Sequence, residues 1–334
     1  MGELIPMRPV FGRALVELDR ANPDIVVLSA DVSNSDFTYL FAEAFPERFI
    51  NVGIAEQALI DVAVGLAYSG RIPFASTFAF LHATRALEPI RTHLGIGRAN
   101  VKLMAPYGGV SPMQEGPTHH AISDLAIMRS IPGLTIVQPA DTVALAKLLP
   151  QVAEWPGPVY LRMNRNEVPR IYDDTIAPSI GPAITVRDGG DVTLVGTGLM
   201  VARCLDAAEE LRADGIEARV VDVHTIKPLD VATIVRAAAE TGALVTAEEA
   251  SIVGGLGGAV AEILAEHLPV PLRRVGVADA FVSDCGPYVE LLDRYGMAVR
   301  DVVAAARDVL RRKSRGSAPT ANQADESSPA PVTR

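Results

Sequence analysis

Phe49-Ile50-Asn51-Val52-Gly53-Ile54-Ala55-Glu56-Gln57 is the stretch whose reading decides the fold. A short apolar run reaches a glycine, and an apolar, helix-forming series then continues to Ser69. A strand that ends in a glycine turn and feeds a helix is the repeating unit of an α/β layer. It places Glu56 in the first helical turn, flanked by Ile54, Ala55 and Leu59. There a carboxylate complements the partial positive charge of the helix N-terminus. The same group, at a strand end and in apolar company, is also suited to give a proton or hold a strong hydrogen bond. Position alone leaves both readings open.

The pattern extends outward on either side. Residues 25–30, 72–76, 101–105, 134–137 and 159–163 read as buried strands, with helices expected over 56–69, 81–94 and 142–154. Parallel strands need long crossovers and helices fill them, so this alternation predicts a parallel sheet with ligands at its carboxyl ends. Residues 166–190 hold Pro169, Pro178 and Pro182 without sustained periodicity and read as a linker. A second alternation follows, with strands at 192–195, 218–223, 244–247 and 272–277 and helices at 200–213, 231–240, 259–267 and 298–312. The expectation is an α/β protein of two successive open, mostly parallel sheets with helices on both faces. Its domains would span 1–172 and 191–312, with 173–190 between them. Residues 313–334 have no apolar face and read as a disordered tail.

Composition narrows the function. A chain of 334 residues exceeds one ordinary core, and its 49% apolar content can supply two. The formal charge of −10 repels nucleic-acid phosphates and anionic lipid headgroups. The first ten residues lack an apolar segment followed by a cleavage site, and no run of about 18 residues is free of charge. The expectation is a soluble cytoplasmic protein with neither nucleic-acid nor membrane partners. Cys204 and Cys285 stand far apart in the sequence and read as buried packing thiols. His119 and His120 are adjacent, and neighbours seldom converge on one metal, so no metal site is expected within the chain. The glycines of 195–198 and 254–258 lack the full dinucleotide fingerprint and suit close packing.

Arg48 to Gln57 matches R-F-x-x-V-G-I-A-E-Q, a motif of the transketolase family, and the resemblance covers Ser29 to Arg165 and more weakly the second domain. It implies a thiamine-diphosphate pyrimidine-binding fold followed by a transketolase C-terminal domain. Glu56 falls where the family places the glutamate that bonds the cofactor's pyrimidine N1′ and favours its imino tautomer. Phe78, Phe80 and Arg85, after Ser76-Thr77, resemble the family's aromatic wall around that ring. Gly116-Pro117-Thr118-His119-His120, with Asp124 and 129–132, resembles its G-P-T-H loop, in which the residue at His119 contacts the oxygens of the reacting carbons. Arg8, Ser35 and Arg165 fall where sugar-phosphate transketolases contact phosphate and sugar. Tyr107 stands in place of a phosphate-contacting histidine, Glu115 in place of an aspartate and Ala250 in place of a frequent histidine. The first two departures leave the sugar open.

The family holds the diphosphate through a divalent ion on a G-D-G motif, and no G-D-G occurs in this sequence. The resemblance therefore implies a split enzyme. An N-terminal-half subunit would bring the diphosphate and Mg²⁺ site, in a heterotetramer with two copies of each chain. The implied reaction moves a two-carbon ketol unit from a ketose to an aldose. The rivals are the β subunit of a 2-oxoacid dehydrogenase, an enzyme like deoxyxylulose-phosphate synthase, and a catalytically silent α/β scaffold. Residues 118–132 resemble transketolase and the synthase more closely than the dehydrogenase. A scaffold has no need of Glu56 in its motif.

Overall fold

A computed structural model describes residues 2–314 of the chain. Seven strands form the first sheet, in the order Thr225–Lys227, Thr135–Val137, Val159–Arg162, Lys102–Ala105, Ile72–Ser76, Ile25–Ser29 and Phe49–Asn51. All pair in parallel except the first. Every residue of Ile25–Ser29 is buried, because helices cover both faces and leave no polar side to alternate.

On one face lie the helices Met7–Ala21 and Thr142–Glu154. Met7, Phe11 and Leu15 recur every four residues along the first and meet Leu145, Leu148 and Val152 of the second. Cutting the fully buried Phe11 to alanine would cost about 3–5 kcal/mol. Leu59, Ile60, Ala63 and Val64 of the helix Glu56–Tyr68 pack on the opposite face.

The second sheet runs Leu272–Val277, Leu244–Ser251, Val192–Gly196, Ala218–Asp222 and Ile184–Arg187, parallel except for the last strand. The two domains are laced together at a sheet edge. Thr225–Lys227 leaves the second domain to pair with Thr135–Val137, and the Gln138 amide donates to the His224 carbonyl at 2.7 Å.

Several expectations change. The helix expected over 81–94 is broken into Ala79–Thr84, Leu87–Pro89 and a π-helical turn, Ile90–Ile96. Pro89 lacks the amide hydrogen that a continuous ladder needs, and the wider turn follows it. Within the segment read as linker, Ile184–Arg187 is an edge strand, where proline-rich flanks do no harm. At the start of the same segment, Glu167–Pro169 is also a strand and pairs with Leu4–Pro6. Lys313 and Ser314 close the helix Val299–Ser314, and Lys313 Nζ donates to the Thr241 carbonyl at 2.7 Å. The rest of the segment read as a tail lies outside the described residues. Cys204 is buried, which pushes its thiol up to about 12, but Cys285 is exposed. Cys285 sits in the loop beside Gly116, where no helix or strand covers it. Among the described residues no helix is long and apolar enough to cross a membrane.

Candidate active site

In the first sheet the chain steps from Ile25–Ser29 outward to Phe49–Asn51, then returns to the other side of Ile25–Ser29 as Ile72–Ser76. Such a reversal opens a crevice at the carboxyl ends of the strands. A cleft of about 510 Å³ lies there, lined by Ala30, Asp31, Val32 and Ser35 after one strand, Ile54 and Glu56 after the second, and Phe78, Phe80 and Arg85 after the third. His119 closes it from the loop beyond Lys102–Ala105.

Glu56 opens its helix, whose first turn has no side-chain cap. Among the described residues none donates a hydrogen bond to its carboxyl group, which faces the cleft half-buried. Phe78 and Phe80 stand with ring centroids 6.5 Å apart and planes 25° from parallel. The His119 ring lies 5.0 Å from Phe80, and its Nδ1 pairs with the Thr118 hydroxyl at 3.0 Å. His120 turns away, donating from Nδ1 to the Val282 carbonyl at 3.1 Å in the second domain. The cleft thus offers aromatic faces, a free carboxylate, a guanidinium and an imidazole. That set suits a flat polar heterocycle, stacked on its face and hydrogen-bonded at its edge.

Arg8 and Arg165 do not line this cleft. They line a neighbouring one of about 400 Å³ together with Leu4, Pro6, Asn166, Glu167 and Tyr288. Tyr107 stands between the two. Its ring centroid is 4.3 Å from that of Phe78, its hydroxyl accepts from Arg8 Nη1 at 3.3 Å, and the Arg165 guanidinium lies 5.1 Å over its ring. Arg8 Nε donates to the Arg165 carbonyl at 2.8 Å, and its Nη1 to the Ser35 carbonyl. Arg165 also pairs with Glu115 at 3.2 Å. Tyr107 and Glu115, the two positions that depart from the family pattern on the sugar side, therefore touch the two arginines.

Some participants have no signal in the sequence. Asp36 is fully buried behind the cleft, accepting from the Ser76 hydroxyl and from the Thr38 amide and hydroxyl at 2.9 and 2.8 Å. Burial pushes its carboxyl up to about 6 despite those bonds. Asp31, Phe37 and Tyr107 hold left-handed backbones, with φ of 61°, 69° and 66°. Non-glycine residues at such angles cost energy and persist where surrounding structure forces them, as around this site.

A parallel α/β layer with this constellation at its switch point, joined to a second parallel α/β domain, defines a class that the comparisons identify. The profile described as transketolase, pyrimidine binding domain, matches residues 3–170, and that of the transketolase C-terminal domain matches residues 181–302. The chain belongs to the transketolase family. It is 41% identical over 92% of its length to the 6-deoxy-6-sulfo-D-fructose transketolase subunit SqwH of a Clostridium species, covering 95% of that protein. It is 37% identical to an apulose-4-phosphate transketolase subunit of Phocaeicola vulgatus, over 92% of this chain and 99% of that one. A solved split-gene transketolase, described as an inactive beta4 tetramer, superposes with a TM-score of 0.86 at 47% identity, over 92% of this chain and 99% of its own.

Proposed function

We propose that this chain is the pyrimidine-binding subunit of a two-chain, thiamine-diphosphate-dependent transketolase, transferring a two-carbon ketol unit from a ketose with an anionic end to an aldose. The observation that carries the reading is the cleft itself: Glu56, Phe78, Phe80, Arg85 and His119 converge at the switch point of the first sheet. The donor set fits the pyrimidine end of the cofactor. When bound, thiamine diphosphate supplies a nucleophilic carbon that can attack a ketose carbonyl.

In this reading Glu56 would hold a proton at a nitrogen of the ring, and among the described residues no donor competes for its carboxyl group. Phe78 and Phe80 stack and exclude water, which strengthens the carboxylate's hydrogen bond. His119 donates to oxygen as charge develops there. Arg8 and Arg165, beyond Tyr107, take the anionic end of the sugar with planar forks suited to oxyanions. The sugars in the relatives' names carry a sulfo or a phosphate group, which supports an anionic donor. The absence of G-D-G supports a partner chain that brings the diphosphate and Mg²⁺ site, in a tetramer with two copies of each.

The test is reconstitution with the chain encoded beside it, followed by assay of two-carbon transfer from a panel of ketose phosphates and sulfonates. Turnover of a 2-oxoacid instead would transfer the chain to the dehydrogenase reading. Assembly without cofactor binding would leave the scaffold.

A further inference from the structure

Glu249 belongs to the strand Leu244–Ser251 and lies beyond the register at which that strand pairs with Val192–Gly196, at the carboxyl end of the second sheet. The second sheet also reverses direction at Val192–Gly196, and an open sheet of this kind offers a ligand crevice there. The first domain reaches into that position. Glu249 Oε1 accepts from the Val110 amide at 2.8 Å, while Oε2 accepts from Asn164 Nδ2 at 3.0 Å and from the Tyr288 hydroxyl at 2.6 Å. Gly109 has φ +64°, and a Cβ there would run into the Glu249 carboxylate.

Each segment held by Glu249 leads to the candidate site. Val110 belongs to the loop from Tyr107 to Ala121, closed by backbone bonds between Gly109 and Ala121 and carrying Glu115 and His119. Asn164 adjoins Arg165, and its Oδ1 accepts from the Asn166 amide at 2.8 Å, fixing that turn. We propose that Glu249 is a positioning residue by which the second domain sets the spacing of Tyr107 and Arg165, and so the grip on the donor's anionic end. The assignment rests on the function proposed above and adds a task for the C-terminal domain.

The experiment compares wild type, Glu249→Gln and Tyr288→Phe in the reconstituted complex, reading donor KM, kcat and exchange of the cofactor's C2 proton, with amide hydrogen exchange of Val110 measured on the same proteins. Glutamine keeps the shape but brings a donor to face Asn164 Nδ2 and the Tyr288 hydroxyl. Donor KM should rise roughly tenfold to a hundredfold, the range for one lost charged hydrogen bond. C2 exchange should stay near wild type, because Glu56 lies on a separate helix, and Val110 should exchange faster. Wild-type exchange at Val110, or a fall in kcat with KM unmoved, overturns the assignment. If Glu249→Gln fails to fold, Tyr288→Phe decides by Val110 exchange: faster exchange supports the assignment and wild-type exchange overturns it. If the wild-type complex transfers no two-carbon unit, the functional reading fails, and Val110 exchange still decides whether Glu249 holds the loop.

Discussion

Arg162 grips both carboxylate oxygens of Asp124, from Nε at 2.7 Å and from Nη2 at 3.1 Å, with both side chains almost wholly out of water. Nη2 also donates to the carbonyls of Ala121 and of Glu249 in the second domain, at 2.9 and 3.0 Å. The Tyr160 hydroxyl completes the carboxylate's set at 2.8 Å. The desolvation cost of such a pair is offset only while every partner is present. Asp124→Asn leaves a buried guanidinium without its counter-charge and should lower unfolding free energy by about 3–5 kcal/mol, read from urea denaturation. A shift near zero would show that water enters the pair.

Glu56→Gln should lower kcat of the reconstituted complex by orders of magnitude while leaving fold and subunit pairing intact. Glutamine has nearly the same shape but cannot exchange the proton that the carboxyl group shares with its ring partner. Exchange of the cofactor's C2 proton for deuterium, followed by NMR after acid quench, should slow in parallel. Cofactor affinity should drop only by about 1.5–3 kcal/mol, one charge-assisted hydrogen bond. Wild-type exchange in the variant would return Glu56 to a helix-dipole role.

Local pattern makes part of this molecule legible. Ile72–Ser76, Thr142–Glu154 and Met200–Ala213 read to the residue, since a short, mostly apolar run after a glycine turn marks a buried strand and an amphipathic helix repeats at 3.6. The cleft residues are legible as a motif, because a turn fixes Glu56 and a short loop fixes Phe78 and Phe80. Asp36 with Ser76, and Glu249 with Val110, are separated by 40 and 139 positions, and no local period reports a contact of that range. Thr225–Lys227 is hidden for the same reason: three residues whose partner strand lies in the other domain. Cys285 shows the limit of composition, since its exposure depends on a loop that no pattern describes.

Stability should fall as pH rises from about 4 to about 7, and Asp222 should carry much of the change. Its carboxyl is fully buried, accepts from the Tyr172 hydroxyl at 2.7 Å and is pushed up to about 7 by burial, with Asp141 adding repulsion. A carboxyl raised in the folded state binds its proton more tightly there than in the unfolded chain. The folded form therefore gains below the folded value, and the gain is lost as the unfolded chain ionises first. Asp222→Asn should flatten melting temperature against pH between about 4 and about 7 and raise it at the alkaline end. An unchanged slope would move the effect to Glu248 and Glu249, each also pushed up to about 7 by burial.

The isolated chain should bind thiamine diphosphate and Mg²⁺ weakly and turn nothing over. On the proposed function the cleft would take only the pyrimidine, the sequence has no G-D-G for a metal-bound diphosphate, and most of the anchoring free energy would come from a partner. Titration calorimetry of the chain alone and of the reconstituted pair gives the contrast. Tight metal-dependent binding by the chain alone would defeat the split-enzyme reading. Sedimentation of the active complex should give two copies of each subunit.

Arg8 and Arg165 make the sharpest case about substrate, because they lie in a cleft of their own, with Tyr107 between them and Phe78. If that cleft takes the anionic end of the donor, Arg8→Ala or Arg165→Ala should raise KM roughly tenfold to a hundredfold for an anionic ketose and far less for its neutral counterpart. The two variants should differ in kind. Arg165 already shares its charge with Glu115 at 3.2 Å, so Glu115→Gln should free it and tighten binding of the anionic donor, whereas no carboxylate pairs with Arg8 among the described residues. Tyr107→Phe removes only the hydroxyl that Arg8 engages and keeps the ring between Phe78 and Arg165. It should therefore raise KM for the anionic donor modestly, with kcat unchanged. Steady-state kinetics on matched anionic and neutral ketoses checks all four variants. Equal KM changes on the two donors would show that the arginines hold the protein together, through Ser35, Pro112 and each other, and do not read the substrate's charge.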